Sequence, residues 1–156
     1  MITYLPGNII QVRSTSYPAG LSRWQSVYTE DTRSGKVYLD CEKSCQVPCY
    51  LGDIEPISVT RDLMKKSLGF KERTCPITGR QEWTKAIKFC NKEFHLVVED
   101  WGDSSNYPGR PWYVHFDNCD MQSVGSGCFG YLHEFQNLVF GVTGIMLTIK
   151  DFKQEL

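Results

Sequence analysis

The sequence predicts an α+β fold: a small β-barrel-like N-terminal part, followed by a helix, an antiparallel sheet and a closing helix. Three observations point there. Short β-favouring runs separated by Gly- and Pro-marked turns fill the first fifty-odd residues. Strand-like runs at 83–89, 94–98 and 112–116 follow with the rhythm of a meander. Near the end, YLHEFQNLVFGVTG switches to helical spacing.

Taken in order, the runs Asn8 to Val12 and Val37 to Leu39 read as strands, with turns at Pro6-Gly7, Pro18-Ala19-Gly20 and Ser34-Gly35. In RDLMKKSLGF, Thr60 can cap the free amides, Asp62 suits the positive end, and Gly69 can take the left-handed conformation that stops a helix. Leu63, Met64 and Leu68 then share a face, with Phe70 folding back beneath the cap. In the closing helix Leu132, Phe135, Leu138, Val139 and Val142 recur at three- and four-residue steps, and Gly144 ends the pattern. That apolar stripe suits a cover for the meander, with His133, Glu134, Gln136 and Asn137 on the opposite side. Met146 to Ile149 reads as a last short strand, and the glycines at 125–130 as the lead into the closing helix. The division expected is residues 1–57 and 58–156, as two joined lobes or one packed unit.

Seventeen Lys+Arg against 18 Asp+Glu leave a net charge of −1 over 156 residues, which excludes a strongly basic nucleic-acid coat and an acidic solvating tail. A chain of this length buries roughly 68–70% of its unfolded surface, so a core without disulfides is expected. The seven cysteines form an odd set, and MITYLPGNIIQV lacks the pattern of a secretory signal, so reduced thiols in a cytoplasm are expected. No window reaches about 18 uninterrupted apolar residues, so no membrane partner is expected.

Three stretches carry a resemblance: Leu5-Pro6-Gly7-Asn8 before a strand, IEPISVTRDLMKKSLGF, and YLHEFQNLVFGVTGIMLTI. Together they resemble a family of small uncharacterised proteins carried by phages and prophages of gut Bacteroidota. The closing motif of that family, Y-x-H-x-L-Q-N-L-x-x-x-x-T-G, is matched by Tyr131, His133, Gln136, Asn137, Leu138, Thr143 and Gly144, with Phe135 in place of a leucine. The resemblance implies an accessory phage product acting in the infected host cytoplasm or riding in the virion, and brings no activity with it. The stretches Cys41 to Cys49 and Trp101 to Trp112 are longer or richer than the family pattern. Specialised function is expected on such loops.

The aromatic loop gives the sharpest ligand expectation. Trp101, Tyr107, Trp112 and Tyr113 surround Arg110, so a planar base could stack on the rings while the guanidinium holds a phosphate. Asp103, Ser104, Ser105 and Asn106 could read its edges. The bland alternative is that these rings pin a loop to a sheet. Cys41, Cys45 and Cys49 offer three soft ligands, but their even spacing departs from the paired arrangement of structural zinc sites, so neither metal nor cofactor is expected. His133 and Asn137 are four apart on one helix face, yet position 137 is not histidine, which excludes a zincin. The amides there are expected to anchor neighbouring backbone.

There is no nucleophile elbow, phosphate loop or dinucleotide fingerprint. The expectation is therefore a non-enzymatic accessory protein that binds a small nucleotide-like ligand or a host protein, in counter-defence, with a homo-oligomer left open. A nucleic-acid module using Arg61, Lys65, Lys66, Lys71, Arg73 and Arg80 is the alternative, and a metal- or thiol-dependent enzyme the second.

Overall fold

The structure is a computed structural model that describes residues 4–13, 24–40, 46–89, 91–102, 108–117 and 126–148. It is α+β: two five-stranded antiparallel sheets and two helices.

The first sheet comprises β1 (Ile9–Val12), β2 (Trp24–Asp31), β3 (Lys36–Asp40), β4 (Gln46–Tyr50) and β5 (Ile54–Glu55), ordered β4-β3-β2-β1-β5. Its two edge strands, β4 and β5, are joined by a single 3₁₀ turn, Leu51–Asp53. Laid flat, those edges would stand about 19 Å apart at ~4.8 Å per strand. The four peptide steps from Tyr50 to Ile54 reach at most about 14 Å. The sheet therefore has to curl, although β4 and β5 do not pair and the barrel stays open. Alternation along the strands turns Ile10, Val12, Val27, Val37, Leu39, Cys49 and Ile54 into the hollow of the curl, where Tyr4, ahead of β1, completes one buried cluster. Ile9, next to Ile10, faces the other way and joins the core of the second sheet.

Helix α1 (Arg61–Lys66) starts where Thr60 Oγ1 accepts from Leu63 N at 3.1 Å, and Gly69 follows it at φ +71°. The second sheet is a plain meander, β10-β9-β8-β7-β6. Its strands are β6 (Lys71–Thr74), β7 (Gln81–Phe89), β8 (Lys92–Asp100), β9 (Trp112–Asp117) and β10 (Ser126–Phe129). Helix α2 (Leu132–Thr143) covers one face. Trp83, Leu96, Val98, Trp112, Val114, Phe116 and Phe129 of the sheet meet Leu132, Phe135 and Val139 of α2, joined by Met64 of α1 and by Leu68 just after it. Gly144 ends α2 at φ +72°.

The polar side of α2 is not a solvent face, and Gln136 anchors neighbouring backbone as expected of the amides there. His133 and Gln136 are 7% and 0% exposed, because that side of the helix packs on the start of β1. Gln136 Oε1 accepts from Ile9 N at 2.8 Å, while its Nε2 donates to Leu147 O at 2.7 Å and Gly7 O at 3.1 Å. One residue on, Asn137 Oδ1 accepts from Asn8 Nδ2 at 2.8 Å. The middle stretch joins in, since Leu132 N donates to Ile57 O and Val59 N to Gly130 O. The three sequence stretches that carry the resemblance thus converge on α2. The helix is sandwiched: apolar toward the second sheet, amide-rich toward the first.

Two further expectations are corrected. Residues 145–148 form no strand; Leu147 is buried and its carbonyl is taken by Gln136, which fixes the segment without sheet pairing. The glycine-rich run before α2 is itself a strand from Ser126 to Phe129, paired with β9.

Candidate functional site

The period of two along β9 separates residues that the sequence reading grouped. Trp112 points inward, 4% exposed, with its ring edge-on to Trp83 at 5.3 Å and its Nε1 donating to Val59 O at 2.9 Å. It is a core residue with no ring face open to solvent. Tyr113, its neighbour, points outward and half-buried. There it stacks on Trp101, with ring centroids 4.5 Å apart and planes 20° from parallel.

Arg110 is engaged at the start of α2. Its Nε donates to Glu134 Oε1 at 3.0 Å, and its Nη2 is also 3.0 Å from the same oxygen. Glu134 Oε2 meanwhile accepts from Gly130 N and Tyr131 N, so the guanidinium belongs to the capping arrangement of α2. Tyr107 and residues 103–106 lie outside the described residues.

What the outer face of the second sheet brings together is Trp101, Tyr113, Glu99 and His115. Trp101 Nε1 donates to Glu99 Oε2 at 2.7 Å, which sets the rotation of the indole. The other carboxylate oxygen of Glu99 lies 3.8 Å from His115 Nε2, and the imidazole is 6.0 Å from the Tyr113 ring. Register explains the grouping: Glu99 pairs with Tyr113 and Val97 with His115 across β8 and β9. Glu82, on the next strand, stands opposite Glu99. Two carboxylates in directly opposed positions repel. Here each has a donor of its own, Arg73 Nε at 2.9 Å for Glu82 and the indole for Glu99. Glu99 and His115 were missed in the sequence because they belong to separate strands; the signal was present in the alternation of EDWG and WYVHF.

The other groupings disperse. Cys49 is buried on β4, its thiol pushed up by burial and then by Asp53, while Cys41 and Cys45 lie outside the described residues. Among the described residues no cluster of His, Cys, Asp and Glu is arranged to hold a metal ion. In the basic patch, Arg61 pairs with Asp100 at 2.7 Å, Lys65 with Glu72, and Arg73 with Glu82. An apolar crevice of about 180 Å³ opens between α2 and the sheet end, lined by Val114, Phe116, Leu138 and Val142.

Among the described residues no helix is long and apolar enough to cross a membrane. Comparison with protein-family models, with curated proteins and with solved structures gives no match.

Proposed function

We propose that the protein is a non-enzymatic binding module, an accessory product of a Bacteroidota phage working in the host cytoplasm, which takes a small planar, amino-bearing ligand of nucleotide-like kind. The observation that carries this reading is the half-buried Trp101–Tyr113 stack with Glu99 and His115 beside it. A guest ring packs against this aromatic pair, stacking being the sequence-tolerant way proteins hold bases. Glu99 and His115 supply acceptor and donor atoms for its exocyclic groups. Sequestering a nucleotide signal is the counter-defence that such a surface serves.

A thermal-shift series with nucleoside monophosphates tests it. The expected result is a concentration-dependent rise in Tm that is lost in Trp101→Ala and kept in Lys65→Ala. A flat series with folded wild-type protein contradicts it.

A host-protein partner is the second reading, favoured by exposed apolar side chains on the first sheet. Tyr50 is 61% and Tyr28 49% exposed, with Leu51 beside Tyr50 at the strand end. The nucleic-acid reading has weaker support, because three of its basic side chains already face carboxylates and release few counterions.

A further inference from the structure

Helix α2 holds the second sheet through apolar contacts and the first through a polar seam. The seam runs along one side of the helix through His133, Gln136 and Asn137, spaced three and four apart. At its N-terminal end the Tyr4 ring meets the His133 ring edge-on at 5.0 Å, and Tyr131 stacks on the same imidazole at 5.8 Å. Tyr4 is itself 4% exposed and is tied to β2, since its backbone N donates to Glu30 Oε2 at 2.7 Å. The imidazole is therefore flanked by a ring from the segment ahead of β1 and one from the cap of its own helix. Its Nδ1 is buried with no hydrogen-bond partner among the described residues. A neutral imidazole tolerates one bare nitrogen as an unused acceptor; an imidazolium would bury an N–H with nothing to accept it.

We propose that this seam is an acid-sensitive hinge: protonation of His133 releases the N-terminal segment carrying Tyr4 and β1 from α2, while α2 stays seated on the second sheet. The groups facing His133 decide the sign. Arg110, from the segment before β9, and the positive end of α2 oppose the added proton. Glu134 on the helix favours it, and Tyr131 and Tyr4 present rings, with Glu30 reaching the site only through Tyr4. Burial is the largest influence, and holds the imidazole below its ordinary range. The amide bonds of Gln136 and Asn137 are one turn away on the same side, so loss of the Tyr4 contact exposes them to water next.

Amide exchange of the intact chain at pH 7.5 and pH 5.0, corrected for the chemical rate, tests the hinge. The Ile9 amide, bonded to Gln136, reports the seam, and the amides of β8 report the second sheet. Ile9 is expected to lose protection at pH 5.0, by up to about tenfold per pH unit, the limit for one titrating group. The β8 amides are expected to keep theirs, and His133→Gln is expected to abolish the difference at Ile9. Unchanged Ile9 protection in the wild type, a fall that persists in the variant, or an equal fall in β8 overturns the proposal. Should His133→Gln not fold, titration of the wild-type imidazole by NMR decides. The proposal requires a midpoint below 6.5, with Ile9 protection falling between about 6.5 and that midpoint, and a midpoint at or above 6.5 overturns it.

Discussion

The side chain of Gln136 completes the backbone of Ile9, 127 residues away, through a buried 2.8 Å bond to the Ile9 amide. The same amide group holds Gly7 O and Leu147 O, so one side chain ties the start of β1 and the segment after α2 to the helix between the sheets.

Replacing Gln136 with leucine leaves three backbone groups without that partner. At about 1–3 kcal/mol for each buried group left unsatisfied, the loss is expected to be at least ~3 kcal/mol in a denaturant melt. Asn137→Ala removes one half-buried bond and is expected to cost about 1 kcal/mol. Equal costs would show that the seam does not rest on Gln136.

Gly7 sits at φ +91°, and a Cβ there would lie 2.6 Å from Met146 Cγ. Gly7→Ala is expected to destabilise by about 1–2 kcal/mol from backbone strain alone, and further from the collision. In a double-mutant cycle Met146→Ala should restore the collision part and leave the strain. Strict additivity of the two changes would exclude the contact.

Stability should fall at both ends of the pH range. His133 is held below its ordinary value by burial and Arg110, so the unfolded chain binds the extra proton first. The stability this contributes is whole above about pH 6.5 and drains as pH drops toward the lowered value. Tyr4 and Cys49 are shifted upward by burial, so their contribution is whole below their ordinary values and is lost as pH rises past them. Urea midpoints across pH 5 to 11 check both limbs, and His133→Gln should flatten only the acid one.

The two tryptophans of the aromatic loop should part company. Trp112→Ala empties a core site and leaves Val59 O unpaired, for an expected loss of about 3–5 kcal/mol. Trp101→Ala removes a half-buried ring and should cost less than half as much. Similar losses would mean that both rings serve as core.

Strands β1, β3, β7, β8 and β9 and both helices were legible because local signals mark them, with Thr60 and Gly69 bracketing α1 and Gly144 stopping α2, whereas β2, β4, β5 and β6 were not singled out. The faces were harder to read. A three-four apolar stripe identifies the side of α2 against the second sheet, but nothing local reveals that His133 and Gln136 are buried by a segment 127 or more residues earlier. Trp112 and Tyr113 looked like one cluster because the loop was read by composition, where the period of two assigns neighbours to opposite sides. Alternation within EDWG and within WYVHF puts Glu99 beside Trp101 and His115 beside Tyr113, but joining the two pairs needed the β8–β9 register, which neither stretch encodes. Arg110 went to Glu134 because a carboxylate at the α2 cap lies within reach, a pairing also set by long-range packing.

The chain carries four tryptophans, and their indole N–H resonances distinguish the site from the core. Titration with adenosine monophosphate, followed by NMR, tests the central claim most directly. A saturable shift of the Trp101 Nε1–H, which is bonded to Glu99, is expected, with the Trp83 and Trp112 signals unmoved. A titration in which Trp101 stays still while the protein remains folded would contradict it.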